Sequence, residues 1–84
     1  MPIIGFMKPK GQRKIESGFG IAIRRRRHKL GLSQEEFAEK ADIHRTYVSS
    51  IELGKVDTSL TVAKKIAGAL QISLSSLLKE AEKY

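Results

Sequence analysis

A short segment near the middle of the chain carries polar side chains of the types that bind nucleic acids. The run SQEEFAEKADIHRTYVSSIELG, which starts at Ser33, has apolar residues at helical spacing on both sides of Asp42. Val48 and Ile51 take the apolar face of the second of these predicted helices, so its polar residues must lie on the opposite face. Guanidinium, imidazole and hydroxyl groups in that position reach base edges and phosphates. The side chains on this outward face are those of His44, Arg45, Thr46, Ser49 and Ser50.

The connection between the two helices is too short to form a flexible loop. Only Asp42 and Ile43 join them, which predicts a sharp crossing with the small side chain of Ala38 at the point of contact. Asp42 is expected at positive φ, which Asp tolerates better than most residues, and Ile43 is expected to point inward. The pattern predicts a helix-turn-helix over about residues 33–54, with an exposed recognition helix at about 44–53.

The remaining elements that must position this pair are also short helices. Ser33 and Glu36 have the spacing of a capping box, and Gly31 and Gly54 are expected to end the helices that precede them. No segment alternates cleanly enough to predict a strand. We therefore predict an all-α, compact five-helix domain over residues 18–84, with helices at about 18–29 (capped by Ser17), 33–41 and 44–53, a fourth after Thr58 or Ser59, and a fifth after Ser73 or nearby.

The positive charge of the chain is concentrated in its first third. The net charge is +7, and residues 1–29 hold nine basic side chains against one acidic side chain, whereas residues 30–84 are close to neutral. This excess favours a polyanionic partner, most often a nucleic acid, although a solvated basic surface would give the same composition. Residues 1–17 show no regular periodicity and are expected to form a basic N-terminal arm. The arm either reaches around a DNA duplex or is a tail without a role in binding.

Other classes of function find little support in the sequence. The chain contains no Cys, and the isolated His28 and His44 lack the spacing of a zinc site, so we expect no metal and no cofactor. No nucleophile, base and orienting group occur together, which argues against an enzyme. No apolar segment is long enough to span a membrane, and the lack of cysteine agrees with a reducing cytoplasm.

Two motifs connect the sequence to a known family. They are I-R-x-x-R-x-x-x-G-L-S-Q-x-x-F-A, which starts at Ile23, and S-x-I-E-x-G-K, which ends at Lys55. Over about residues 18–80 the chain resembles the XRE family, the helix-turn-helix domains of the phage-repressor and Cro type. The resemblance implies a five-helix, lambda-repressor-like domain that binds double-stranded DNA as a homodimer on two half-sites and regulates transcription. Two residues depart from the family pattern. Asp42 stands where Gly is usual, and Leu53 stands where a polar residue is common.

The resemblance also assigns roles to particular residues of this chain. It implies that Arg45, Thr46 and Ser50 read bases, with His44 and Ser49 as their neighbours. It implies that the residues that bind phosphates are Gln34, Tyr47, Lys55 and Arg24. Tyr47 fits the edge of the core equally well, and Arg24 could belong to a solvated charged face. Arg27 is expected instead to form a structural ion pair with Glu52 on a facing helix.

The last predicted helix carries an apolar stripe that is broad for so small a core. We expect part of this stripe to form a dimer interface, whose residues are Ile72, Leu74, Leu78 and Tyr84. We expect a stand-alone domain, and on this expectation the chain resembles the controller proteins of restriction-modification systems and the Cro-like proteins. The alternative is an antitoxin or a coactivator, whose helices mask a partner protein.

Overall fold

The computed structural model describes residues 14–84 and confirms the predicted all-α fold, with five helices and no strand in this part of the chain. The helices are α1 (Ile15–Lys29), α2 (Gln34–Ala41), α3 (Arg45–Glu52), α4 (Leu60–Ala69) and α5 (Leu74–Ala81). Helices α2 and α3 form the helix-turn-helix, α1 packs against α3 and α5, and α4 packs against α2 and α5. The predicted basic arm lies outside the described residues, apart from its last four.

Serine caps begin three of these helices. The hydroxyl of Ser33 accepts a hydrogen bond from the backbone N–H of Glu36 at 3.0 Å, and the Glu36 carboxylate accepts one from the backbone N–H of Ser33 at 2.8 Å. The predicted capping box is therefore confirmed. The bond from the Ser33 N–H is the main reason why the pKa of the Glu36 carboxyl is lowered. The hydroxyls of Ser59 and Ser73 cap α4 and α5 by accepting hydrogen bonds from the backbone N–H groups of Val62 and Ser76.

The first helix begins three residues earlier than the sequence predicts. It starts at Ile15, with Lys14 as an N-cap that makes no side-chain hydrogen bond, so Ser17 lies inside the helix and is not its cap. Gly54 comes so near that a β-carbon on it would lie 2.9 Å from the Cα of Ser17. This packing of the turn after α3 against the first turn of α1 favours helix at Ser17, and it outweighs the local preference of serine for a cap position.

The turn between α2 and α3 has the predicted left-handed conformation. Asp42 has φ 58° and ψ 49°, and the N–H of Ile43 donates to the Ala38 carbonyl at 3.0 Å, which closes the end of α2. Ile43 is half-buried and packs against the core. The two helices are therefore held at a fixed angle by a turn of two residues.

The core is shared by all five helices, and it holds α3 at close range to α1. A β-carbon at Gly20 would collide with the carbonyl oxygens of Ile51 and Glu52, so glycine is required where α1 crosses the end of α3. The position of the recognition helix is thus set by backbone contact as well as by side-chain packing. The largest fully buried side chains are those of Phe37, Ile23, Ile51, Ile66, Leu70, Leu77 and Val48.

The end of α4 offers a stability prediction. Gln71 has φ 58°, a conformation that costs free energy for a residue with a side chain but not for glycine. We expect Gln71→Gly to raise the free energy of unfolding by about 0.5–1 kcal/mol, after the larger chain entropy of unfolded glycine is subtracted. Urea denaturation measures this difference. Gln71→Ala keeps the β-carbon and is the control, and equal stability of the two variants would contradict the argument.

Candidate nucleic-acid interface

Helix α3 presents a polar face because its apolar side chains are used in the core. Val48, Ile51 and Glu52 are buried, and Tyr47 is partly buried against the core. The five residues predicted to contact bases therefore lie on one surface, on a helix of the size that the major groove of DNA admits. On this surface His44, Arg45 and Thr46 are exposed, and Ser49 and Ser50 are half-buried.

Arg45 stands at the N-terminal end of this face and takes part in no ion pair within residues 14–84. It shares a hollow with the carboxylates of Glu35, Glu39 and Asp42, among other residues. These negative charges disfavour a phosphate near the guanidinium, whereas the uncharged edge of a base meets no such repulsion. The ion pairs that do form in this part of the chain are Arg27–Glu52, Lys65–Asp42 and Lys83–Glu80.

A buried ion pair joins α1 to the end of α3. The Nε and Nη2 atoms of Arg27 lie 2.6 Å and 3.0 Å from the two carboxylate oxygens of Glu52, a bidentate geometry. Arg27 Nη1 also donates to the Leu32 carbonyl at 2.9 Å, and Gln34 Nε2 donates to Glu52 Oε1 at 3.1 Å. The ion pair predicted from the sequence forms, and together with Gln34 it ties α1, α2 and α3 to one another.

The same contacts give the Gln34 side chain a different task from the one that the sequence predicts. Its amide, expected at a phosphate, orients the carboxylate of Glu52 in this structure. Gln34 is nevertheless the first residue of α2. The first N–H groups of a helix have no partner within it and favour anions, so the backbone at Gln34 can still receive a phosphate.

The other predicted phosphate ligands differ in exposure. Arg24 and Lys55 are exposed, and Tyr47 is half-buried. Arg24 borders a hollow between α1 and α3 that also contains His28 and Leu53, two residues absent from the predicted site. Helical spacing is the signal that would have found both, because His28 lies one turn after Arg24 and Leu53 lies one turn after Ser49.

Two of the four consecutive arginines of α1 make structural contacts away from this hollow. Arg26 Nε donates to the Leu70 carbonyl at 3.0 Å, at the end of α4. Arg25 Nη1 donates to the Tyr84 hydroxyl at 2.8 Å, and its guanidinium lies 5.5 Å from the centre of that ring. Arg25 and Arg26 therefore hold the C-terminal helices to α1, and Arg24 is left to face the recognition side.

The four residues predicted at a dimer interface line two different hollows. Leu74 and Leu78 line an apolar groove, whereas Ile72 and Tyr84 line a separate hollow beside Arg25. The apolar stripe of α5 could not separate them, because Ile72 and Tyr84 lie just outside the helix at its two ends. The structure thus divides the predicted set in two, and the pair in the groove has the more apolar surroundings.

Two general features of residues 14–84 bear on function. No three His, Asp or Glu side chains of this region are grouped so that they could hold a metal ion. Its helices are also too short or too polar to cross a membrane.

Comparison with known proteins places these observations in a family. The sequence profile of the helix-turn-helix family matches residues 23–77. Control protein C.MunI from Mycoplasma sp is 46% identical over 70 residues, which cover 82% of this chain and 95% of that protein. The restriction-modification controller protein C.AhdI from Aeromonas hydrophila has 37% identity and a TM-score of 0.72, over 74% of this chain and 94% of that one.

A second solved structure was determined with DNA. The restriction-modification controller protein C.Esp1396I, as a tetramer in complex with its natural 35 base-pair operator, has a TM-score of 0.72 and 27% identity. The similarity covers 83% of this chain and 97% of that chain.

Proposed function

The chain belongs to this helix-turn-helix family of DNA-binding transcriptional regulators, and we propose that it is a restriction-modification controller that binds its operator as a homodimer. The observation that carries the proposal is the outward face of α3, where several hydroxyl side chains and Arg45, which forms no ion pair within residues 14–84, lie on a helix that packs against α1. The likeness to C.MunI and C.AhdI supports the controller subtype. The proposal includes a cytoplasmic location, since the DNA partner is there.

In this proposal, affinity and specificity come from different residues. Arg24 and Lys55, with the N-terminus of α2 at Gln34, bind phosphates and contribute equally on every sequence. Arg45, Thr46 and Ser50 read base edges in the major groove, where arginine pairs with guanine and hydroxyls adapt to several bases. The half-buried Tyr47 can offer only the exposed part of its side chain to the backbone.

The homodimer of the proposal must bring two recognition helices to one face of the duplex. A two-fold dimer does so when its half-sites are centred about 34 Å apart, near 10 base pairs. Selection of bound sequences from random DNA tests this directly and should enrich two symmetry-related half-sites at that spacing. If no sequence is enriched, the chain is better explained as an antitoxin or coactivator that masks a partner protein.

Lys55 provides a test of the phosphate contacts. We expect Lys55→Ala to weaken binding to all DNA sequences by about the same factor and to lower the slope of log affinity against log salt by roughly one. Fluorescence anisotropy at several salt concentrations measures both effects. Lys79→Ala, at an exposed position on α5, is the control and should leave the slope unchanged. A normal slope for Lys55→Ala would remove Lys55 from the interface.

The apolar groove at α5 provides a test of dimerisation. Leu78 is 36% exposed and lines this groove with Leu74 and Leu60, so we expect Leu78→Ser to weaken self-association at least about tenfold through the loss of buried apolar area. Sedimentation equilibrium measures the change. Lys79→Ser alters the neighbouring exposed position and should self-associate like the natural sequence. Equal dimerisation of both variants would exclude the groove from the interface.

A further inference from the structure

Exposed apolar side chains are concentrated around a single groove. It lies between the first turn of α1, the loop before α4, and α5. Of the four large apolar side chains that are exposed in residues 14–84, three border it, namely Ile15 (53% exposed), Leu60 (77%) and Leu78 (36%). The groove has a volume of about 120 Å³, similar to the cavities that hold one benzene molecule. Apolar surface gathered in this way marks a contact site.

We propose that in the free chain this groove is covered by the N-terminal apolar segment of the same molecule, residues 3–7. This segment reads IIGFM and lies outside the described residues. It offers two aliphatic side chains, a phenyl ring and a thioether, and the volume of the groove suits one side chain of this size. These apolar residues have no role in the proposed DNA contacts, and the basic residues that follow them do not need them for phosphate binding.

The chain connection favours docking within one molecule. Met7 lies eight residues before Ile15, and an extended chain of that length spans at most about 28 Å. Ile15 itself borders the groove, so the segment only has to fold back on the start of α1. A tether this short gives an effective concentration in the millimolar range, which lets weak apolar contacts keep the groove covered.

Charge and hydrogen-bonding capacity at the groove fit the same occupant. Glu16 and Asp57 lie at the groove, and the tether between the segment and α1 carries Lys8, Lys10 and Arg13. Docking of the segment would bring these positive charges close to the two carboxylates, and their attraction favours it. The hydroxyl of Thr58, which also lines the groove, is buried without a protein partner in residues 14–84. A docked segment brings backbone groups that can satisfy it.

Docking of the segment in the groove affects dimerisation, an inference that rests on the proposed function. Leu74 and Leu78 lie in this groove and are also the apolar pair proposed for the dimer interface. The groove is too small for the segment and a second copy together. The segment therefore competes with dimerisation, and it raises the protein concentration at which the operator is occupied.

Proximity can be measured with cysteine pairs, since the chain has no cysteine of its own. Gly5→Cys with Asp57→Cys places one thiol in the segment and one at the edge of the groove, and it leaves the apolar side chains intact. Gly5→Cys with Leu53→Cys is the matched control, because Leu53 is exposed on the recognition side at nearly the same chain separation. In a glutathione redox buffer at low protein concentration, the first pair should form its intramolecular disulfide at least about tenfold faster. Equal rates, or cross-linking only between molecules, would overturn the proposal.

Substitutions within residues 3–7 test whether apolar contacts hold this segment at the groove. They do not change any residue of the five helices. Ile4→Ser with Phe6→Ser, added to the Gly5→Cys and Asp57→Cys pair, should slow disulfide formation to the rate of the Leu53 control. Lys8→Ser with Lys10→Ser should slow it less, and only at low salt. If the serine substitutions at Ile4 and Phe6 leave the rate unchanged, apolar docking is wrong.

Competition with dimerisation is measured separately from DNA binding. Without engineered cysteines, Ile4→Ser with Phe6→Ser should dimerise at a concentration several-fold lower than the natural sequence in sedimentation equilibrium. An unchanged dimerisation constant would exclude competition. The disulfide rates do not depend on operator binding, so a failed operator selection and a failed docking experiment give different results and cannot be confused.

Discussion

Replacing Glu52 with Ala is expected to lower the free energy of unfolding by about 3–5 kcal/mol, a large part of the stability of so small a domain. The variant leaves Arg27, a residue only 7% exposed, without a counter-charge. It also removes the acceptor of the Gln34 amide. The penalty arises mainly from the uncompensated charge that remains, because the pair itself is offset by the cost of removing two charges from water. Urea denaturation of the natural chain and the variant measures the loss.

The chain contains a matched control for this prediction. Glu80 near the end of α5 and Lys83 just beyond this helix form an exposed ion pair at 3.2 Å, and both side chains are about half exposed. Glu80→Ala should therefore cost less than about 1 kcal/mol. A second comparison replaces both buried partners, as in Arg27→Met with Glu52→Leu, and should recover most of the stability lost by Glu52→Ala. If Glu52→Ala and Glu80→Ala cost the same, the buried charge argument fails.

The buried pair also bears on function through the position of α3. Arg27 contacts Glu52 at the end of this helix, and Gln34 contacts the same carboxylate from the start of α2. The outward face of α3 and the start of α2, where we propose a phosphate contact, are thus fixed relative to each other. A variant that folds without this network should lose operator affinity in addition to stability, because two contact regions must meet one duplex at the same time.

Local sequence signals predict those parts of the fold that local physics decides. Ser33 and Glu36 form the predicted capping box, and Asp42 takes the predicted left-handed turn, because these preferences involve only the backbone of neighbouring residues. Ser17 shows the limit of such signals. Its cap preference is overridden by contact with Gly54, which is distant in sequence, so the first helix starts earlier than predicted.

The candidate site also combines features that local sequence predicts with features that depend on tertiary contacts. The outward face of α3 could be predicted from helical spacing, since Val48 and Ile51 have to be buried. The amide of Gln34 could not be placed, because its choice between a phosphate and Glu52 depends on how close three helices approach. Within the run from Arg24 to Arg27, the family motif distinguishes Arg24 and Arg27 from the other two. The contacts of Arg25 with Tyr84 and of Arg26 with the Leu70 carbonyl could not be predicted, because they depend on how α1 packs against the end of α4 and the residues after α5.

Arg45→Ala is expected to cost about 1–3 kcal/mol of binding free energy on the true operator and to relax the preference at one base pair in each half-site. Its guanidinium is exposed at the start of α3, pairs with no carboxylate in residues 14–84, and can donate to O6 and N7 of a guanine. The carboxylates of Glu35, Glu39 and Asp42 in the same hollow disfavour a phosphate there, which favours base reading.

The measurement that separates these two roles is a base-by-base binding profile of the variant on an operator library. Loss of the preference at one base pair per half-site supports base reading by Arg45. Lys55→Ala, in contrast, should lower the affinity for all sequences by the same factor. Arg45→Lys is the control for charge, because lysine keeps the positive charge but lacks the planar fork that binds guanine at two atoms. It should therefore keep most of the affinity for unrelated DNA and lose the preference at the same base pair. If Arg45→Ala weakens every operator variant equally, Arg45 binds a phosphate, and Thr46 and Ser50 are left to read the bases.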